Sequence, residues 1–276
     1  MLTIKNNIMA ENAARQLGLS YDNLARSIER LSSGMRINSA MDDAAGLAVR
    51  ELIRADIAVL RQGTRNAQDG ISMLQIMEAA MSSIDDALIR MKELAQQAAT
   101  GTYSNQQRRI MDNEFQEMAA EITRIATKTE YNTTAMLNSA TGSQVIHFGV
   151  SSGGEASSIT VNSIAATAVA LGITSAINIT TTSNAATALT TVNTAIQVKD
   201  SARASFGYSM NRLQSSAKVL NIQSENMLAA ESRISDVDVA TEVAALTRTQ
   251  VLAQAGVSML AQANTMPQMA LNLLRG

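Results

Sequence analysis

Catalysis and metal binding lean on imidazoles, thiols and clustered carboxylates, and this sequence supplies few of them. Its 276 residues hold one His, His147, and no Cys. A single imidazole without thiolates lacks the partners a protein zinc site needs, so His147 reads as a surface or hairpin packing residue on a strand. The missing thiols also exclude disulfides. Two pairs of adjacent carboxylates occur, Asp42 with Asp43 and Asp85 with Asp86. Sequence neighbours diverge on a helix, so neither pair shares a proton; both are expected at caps or on solvated faces. Asn132-Thr133-Thr134 and Asn178-Ile179-Thr180 fit the N-glycosylation pattern, a weak signal alone. The 16 Met suit packing seams better than a cofactor pocket. No catalytic constellation emerges, and the expectation is a protein that is not an enzyme and takes no metal or cofactor.

What the residues do supply is helical rhythm. Leu17, Tyr21, Leu24, Ile28 and Leu31 stand 4, 3, 4 and 3 residues apart. That spacing is an apolar seam for another helix. The chain has 3 Phe, 4 Tyr, no Trp and a single Pro, Pro267. Small and unbranched apolar residues favour helix–helix seams, and a chain nearly free of Pro permits long helices. The net charge of −2 offers no electrostatic case for nucleic acid or an anionic membrane. No 18-residue apolar run exists to span a bilayer, and Glu11, Asn12 and Arg15 interrupt any signal-peptide core.

Taken in order, the spacing predicts a first helix over about 6–32, stopped by Ser33 and Gly34. Asp42 or Asp43 caps a long second helix, whose seam is Met77, Met81, Ile84, Leu88, Met91, Ala95 and Ala98. Ser104 with Gln107 forms a capping box for a third helix with the seam Met111, Phe115, Met118, Ile122 and Ile125. Ser and Thr then crowd residues 139–187, where residues 145–150 and 159–161 are expected to form a hairpin around 151–154. Thr180 to Ser183 reads as a loop or a poor strand, and the stretch 174–183 as a tolerant surface loop. A fourth helix keeps one 3,4 register from Leu189 to Met227, with polar slots at Lys199, Arg203 and Ser224. After Glu242 only Arg248 and Arg275 are charged, so a monomer would leave this last helix poorly covered.

The fold class is therefore mainly α: a long-helix bundle or coiled coil built from both chain ends, with a small β-hairpin region at the tip. The expected division is an inner terminal-helix domain of residues 1–42 and 235–276, a helical bundle of 43–138 and 188–234, and a Ser/Thr-rich tip of 139–187. The terminal seams, with Leu17, Leu24, Ile28, Leu31, Val243, Leu246, Val257 and Leu260, are the expected polymerisation residues.

The stretch 29–49, ERLSSGMRINSAMDDAAGLAV, resembles the N-terminal signature of bacterial flagellins, and RNAQDGIS at 65–72 continues it. Ser224-Glu225-Asn226, AAESRI at 229–234, ATEV at 240–243, QAG at 254–256 and LAQAN at 260–264 resemble the family's C-terminal region. So do Pro267-Gln268 and Leu273-Leu274-Arg275. Phe148-Gly149-Val150 with Gly154-Glu155 is similar to the family's hairpin. The similarity spans about 1–138 and 188–276; the large variable outer domains of long flagellins are missing, and Gly276 follows Arg275 as a small departure. The resemblance implies a filament subunit for swimming, with a hook–filament junction protein as the alternative. It implies a helical homopolymer of the chain with itself, with terminal helices lining the channel. It implies export unfolded through the flagellar type III apparatus with an export chaperone, without a cleaved signal peptide, to an extracellular filament. The filament cap and hook-associated proteins would be further partners. It also implies that Arg90, Leu94 and Glu114 form the surface seen by the vertebrate Toll-like flagellin receptor, on a face that would pack first against other subunits.

Overall fold

A computed structural model of the chain describes residues 6–139, 142–149 and 157–275. The elements are α1 Ile8–Ser33, α2 Ala44–Ala99, α3 Asn105–Lys128, β1 Glu130–Tyr131, β2 Thr134–Ala135, β3 Ser143–His147, β4 Ser158–Asn162, α4 Thr182–Ser235 and α5 Val239–Arg275. They fall into two compact units, one of residues up to 55 and from 226 on, the other of 56–225. Long α2 and α4 contribute to both.

The terminal unit is built on α1 and α5. Asn7 caps α1 by accepting from the Ala10 N–H, and Gly34, at φ 71°, ends it in the left-handed conformation that costs Gly least. The helices run antiparallel, with Asn7 beside Ala263, Leu17 beside Gly256 and Arg30 3.9 Å from Glu242. Leu17, Leu24 and Leu31 lie half-buried on the shared seam, but Tyr21 and Ile28 are 50% and 52% exposed. Within the chain, the expected seam therefore meets α5 only at alternate slots. Ala13, Ser20 and Ser27 take the slots between. The facing helix offers Ala253, Gly256 and Ala263, and only small residues let two backbones approach that closely; Tyr or Ile there would hold them apart. After α1, the Asp42 carboxylate accepts from the Asn38 and Ser39 N–H groups, and Asp43 caps α2 through the Gly46 N–H at 2.9 Å. Wholly buried Ile37 anchors this connector.

The central unit has a different interior. Met77, Met81, Ile84, Leu88, Met91, Ala95 and Ala98 are all wholly buried, as their spacing predicts. Along α4 the buried positions include Ala185, Val192, Lys199, Phe206, Leu213 and Leu220, each seven residues after the last. The Ser104–Gln107 capping box forms with both its bonds, and buried Arg108 donates to the Ala98 and Thr100 carbonyls that α2 leaves open.

The spacing did not foresee β1 and β2, which join through Asn132 and Thr133 at φ 48° and 65°, a tight turn that matches strand twist. The expected hairpin is present as β3 paired antiparallel with β4, Val145 opposite Thr160. Its turn at 151–154, with Val150, lies outside the described residues. The hairpin docks on α2 where Gly63 meets the Phe148 carbonyl and Gly70 meets Ile146; a Cβ at either Gly would clash. Phe148 and Ile159 are buried while Val145 is 59% exposed.

The loop before α4 corrects another expectation. Ile179 is wholly buried, its N–H donates to Asp112 Oδ1 at 2.8 Å, and the Ile177 carbonyl accepts from Gln116. Thr182 and Ser183 already belong to α4. Residues 174–183 therefore include packed structure, because an apolar side chain every few residues suffices to pin a loop that charge and composition make look free.

Candidate functional site

No cluster of metal-binding side chains occurs among the described residues, and the candidates are surfaces. His147 is exposed on β3, and its carbonyl, not its imidazole, is tied down by Asn66 Nδ2 at 2.8 Å. An open cavity of about 360 Å³ lies beside it, lined among others by Asn66, Asp69, Met73 and Tyr131.

The terminal unit carries the first surface. Of the eight expected polymerisation residues, Leu17, Leu24, Leu31, Leu246 and Leu260 are half-buried positions of the α1 and α5 stripes. Val243, Val257 and Ile28 are 43%, 48% and 52% exposed. With them stand Ile8, Met9, Leu19, Tyr21, Val251, Leu252 and Met259, all exposed apolar side chains of the same two helices. Among described residues of the pair, only Ser27 and Ala253 are buried outright. So many large apolar side chains left in water on one helix pair are unusual in a soluble monomer. The signal was legible in α5, whose Val and Leu fall on several faces; in α1 the 3,4 spacing marked Tyr21 and Ile28 as seam residues without showing that they face away from α5.

The second surface joins α2 and α3. Arg90 Nε donates to Glu114 Oε1 at 2.8 Å and Arg90 Nη1 to Glu93 Oε2 at 3.0 Å. These hydrogen bonds, that to Glu114 first, hold the Arg90 guanidinium above its ordinary pKa. Leu94 does not share this surface: it is 2% exposed and lies beneath, in the bundle seam with Met91 and Ala95. Spacing of i and i+4 places two side chains on one side of a helix, but a helix packed against two neighbours buries most of that side.

The charged ladder on α2 and α4 is what sequence reading missed. Lys199, 2% exposed, places its Nζ 2.5 Å from Asp85 and 2.8 Å from Asp200. One turn away, Arg203 donates twice to Glu78 Oε1, at 2.9 and 2.6 Å, and lies 3.7 Å from Asp85. The bonds to Glu78 raise the Arg203 pKa against the opposing effect of burial. Asp85 is therefore the half-buried partner of a buried amine, which corrects its expected place on a solvated face. The clue was present: polar slots at Lys199 and Arg203 within an otherwise apolar register require opposite charges on the facing helix.

Comparison with known proteins adds to this geometry. Residues 4–141 match the family described as bacterial flagellin N-terminal helical region, and residues 189–274 the bacterial flagellin C-terminal helical region. The flagellin of Halalkalibacterium halodurans is 40% identical over 274 residues, spanning 99% of this chain and 100% of that one. Flagellin FlaB2 of Treponema pallidum is 38% identical over 289 residues, with the same coverage. The crystal structure of Bacillus cereus flagellin superposes with a TM-score of 0.50 at 33% identity, covering 60% of this chain and 94% of that one.

Proposed function

The chain belongs to the bacterial flagellin family, and from that membership we infer that it is a structural subunit that polymerises into the flagellar filament for swimming motility. Both halves match flagellin itself, which favours the filament over the hook–filament junction. The observation that carries the physical side is the open apolar face of α1 and α5. Burial between copies would return roughly 25 cal/mol for each Å² of that face removed from water, and no chemistry beyond packing is needed.

The remaining roles follow from this reading. Ile28, Val243 and Val257 are the subunit-contact residues; Leu17, Leu24, Leu31, Leu246 and Leu260 hold α1 on α5. Residues 1–42 and 235–276 form the inner layer, 43–138 and 188–234 the layer around it, and 139–187 the outer tip. Export runs through the flagellar type III apparatus with a chaperone, without a cleaved signal peptide, and the filament cap and hook-associated proteins meet the ends of the polymer. The exposed Arg90–Glu114 pair is the part of the α2–α3 surface that a Toll-like flagellin receptor could read, with Leu94 supporting it from below. Seeded polymerisation followed by electron microscopy tests the central reading. The full chain should elongate seeds into filaments, and a chain ending before Val243 should stay soluble with its central unit folded; normal filaments from the shortened chain would overturn the role given to α5.

A further inference from the structure

Pro267 lies inside α5. Having no N–H, it cannot donate to the carbonyl four residues earlier, so the Ala263 carbonyl loses the partner any other residue at 267 would supply. That carbonyl is nonetheless bonded, because Asn7 Nδ2 donates to it at 2.8 Å from the start of α1. The same side chain caps its own helix, Oδ1 accepting from the Ala10 N–H at 3.1 Å. One amide thus spends its acceptor on α1 and its donor on α5. Asp keeps the acceptor and lacks the donor.

At the other end of the pair, the Arg36 N–H donates to the Ser235 carbonyl and the Val237 N–H to the Gly34 carbonyl, an antiparallel bridge that pins the end of α1 to the start of α5. Between the ends, the inward positions alternate Leu17, Leu24 and Leu31 with Ala13, Ser20 and Ser27 against Ala253, Gly256, Leu260 and Ala263, and such apolar packing is not directional. The Arg30–Glu242 ion pair spans 3.9 Å, too long to be directional. The Ala263 carbonyl is different, since the proline four residues on makes it an acceptor that its own helix cannot fill. We propose that Asn7 is the positioning residue that fixes the register of α1 on α5 at the end away from that backbone bridge, and that Pro267 serves by opening the carbonyl Asn7 binds. The inference stands on contacts within one chain and does not depend on polymerisation.

A disulfide reports the register directly. A Cβ at residue 256 would lie 3.7 Å from Leu17 Cβ, within disulfide range, and the chain has no other Cys. The full chain with Leu17→Cys and Gly256→Cys is oxidised, as monomer and after polymerisation, in backgrounds with and without Asn7→Asp and Pro267→Ala. With Pro267 present, Asn7→Asp should slow closure roughly fivefold, the ratio one net hydrogen bond corresponds to, while leaving the helix capped. With Pro267→Ala the residue 267 N–H takes the carbonyl, and Asn7→Asp should then change closure less than about twofold. Equal slowing in both backgrounds, or none with Pro267 present, overturns the proposal. Failure of the parent Cys pair to close in either state overturns the register itself.

Discussion

The two helical regions of this protein use the same spacing to opposite ends. In the central unit, the α2 seam from Met77 to Ala98 is wholly buried, and α4 adds Phe206 and Leu213 every seventh residue. In the terminal unit, α1 and α5 meet through half-buried Leu interleaved with Ala, Gly and Ser, and leave Ile8, Tyr21, Ile28, Val251 and Met259 in solvent. Large side chains hold the central helices apart and fill the space between them, so that interior is complete within one chain. Small side chains at alternate slots bring the terminal helices together, with Tyr21 and Ile28 left facing outward. The lesson is that a 3,4 rhythm says a helix has a seam, and the size of the facing residues decides which stripe it is. The terminal unit is thereby left with exposed apolar area, which the proposed polymerisation would cover.

That contrast is open to experiment, beginning with the largest effect. Val257→Asp puts a charge on a side chain 48% exposed in the single chain. Filament yield should fall to the background of unseeded protein, since a charge buried between copies costs several kcal/mol, while the melting of the central unit stays put. A matching fall in monomer melting would erase the distinction between the two units. Asp85→Ala attacks the other side. It strips buried Lys199 of its 2.5 Å partner, and denaturant unfolding should show a loss of about 3 kcal/mol, the low end for a broken buried pair because Asp200 still faces the amine. A loss below about 0.5 kcal/mol would mean that the ladder behaves like a surface pair.

Ile179→Ala should cost the central unit about 2–3 kcal/mol, read as a lower melting temperature of the full chain, because the side chain is wholly buried. No change would restore the view of 174–183 as a free strap. The smallest effect is on the terminal connector. Hydrogen bonding from the Ser39 N–H, ahead of that from Asn38 and the charge of Arg30, holds the Asp42 carboxyl below its ordinary range. Protonation therefore favours the unfolded connector. Its contribution is complete above the ordinary carboxylate pKa of about 4 and is lost as pH falls below it. Hydrogen exchange at the Asn38 and Ser39 amides should lose protection over that acid window in the parent chain, and Asp42→Asn should remove the pH dependence there.

Much was legible before any coordinates. Gly34 as a stop, the Ser104–Gln107 box, the seams of α2 and α4 and the β3–β4 pairing all rest on bonds and periodicities a few residues long, or on strands close in sequence. The family signatures around 29–49 and 224–264 are likewise read from runs of residues. What the tertiary structure alone decided is which partner arrives at each face. It turned Tyr21 and Ile28 outward, sank Leu94 beneath Arg90, set Lys199 against Asp85, buried Ile179 on α3 and joined Asn7 to the carbonyl that Pro267 leaves open. Each depends on a contact between residues distant in sequence, whose energy is set by the size and charge of the neighbour rather than by the local chain. Local hydrogen bonding determines that a helix forms and where it ends; the shape of what packs against it determines which of its residues are left for other molecules.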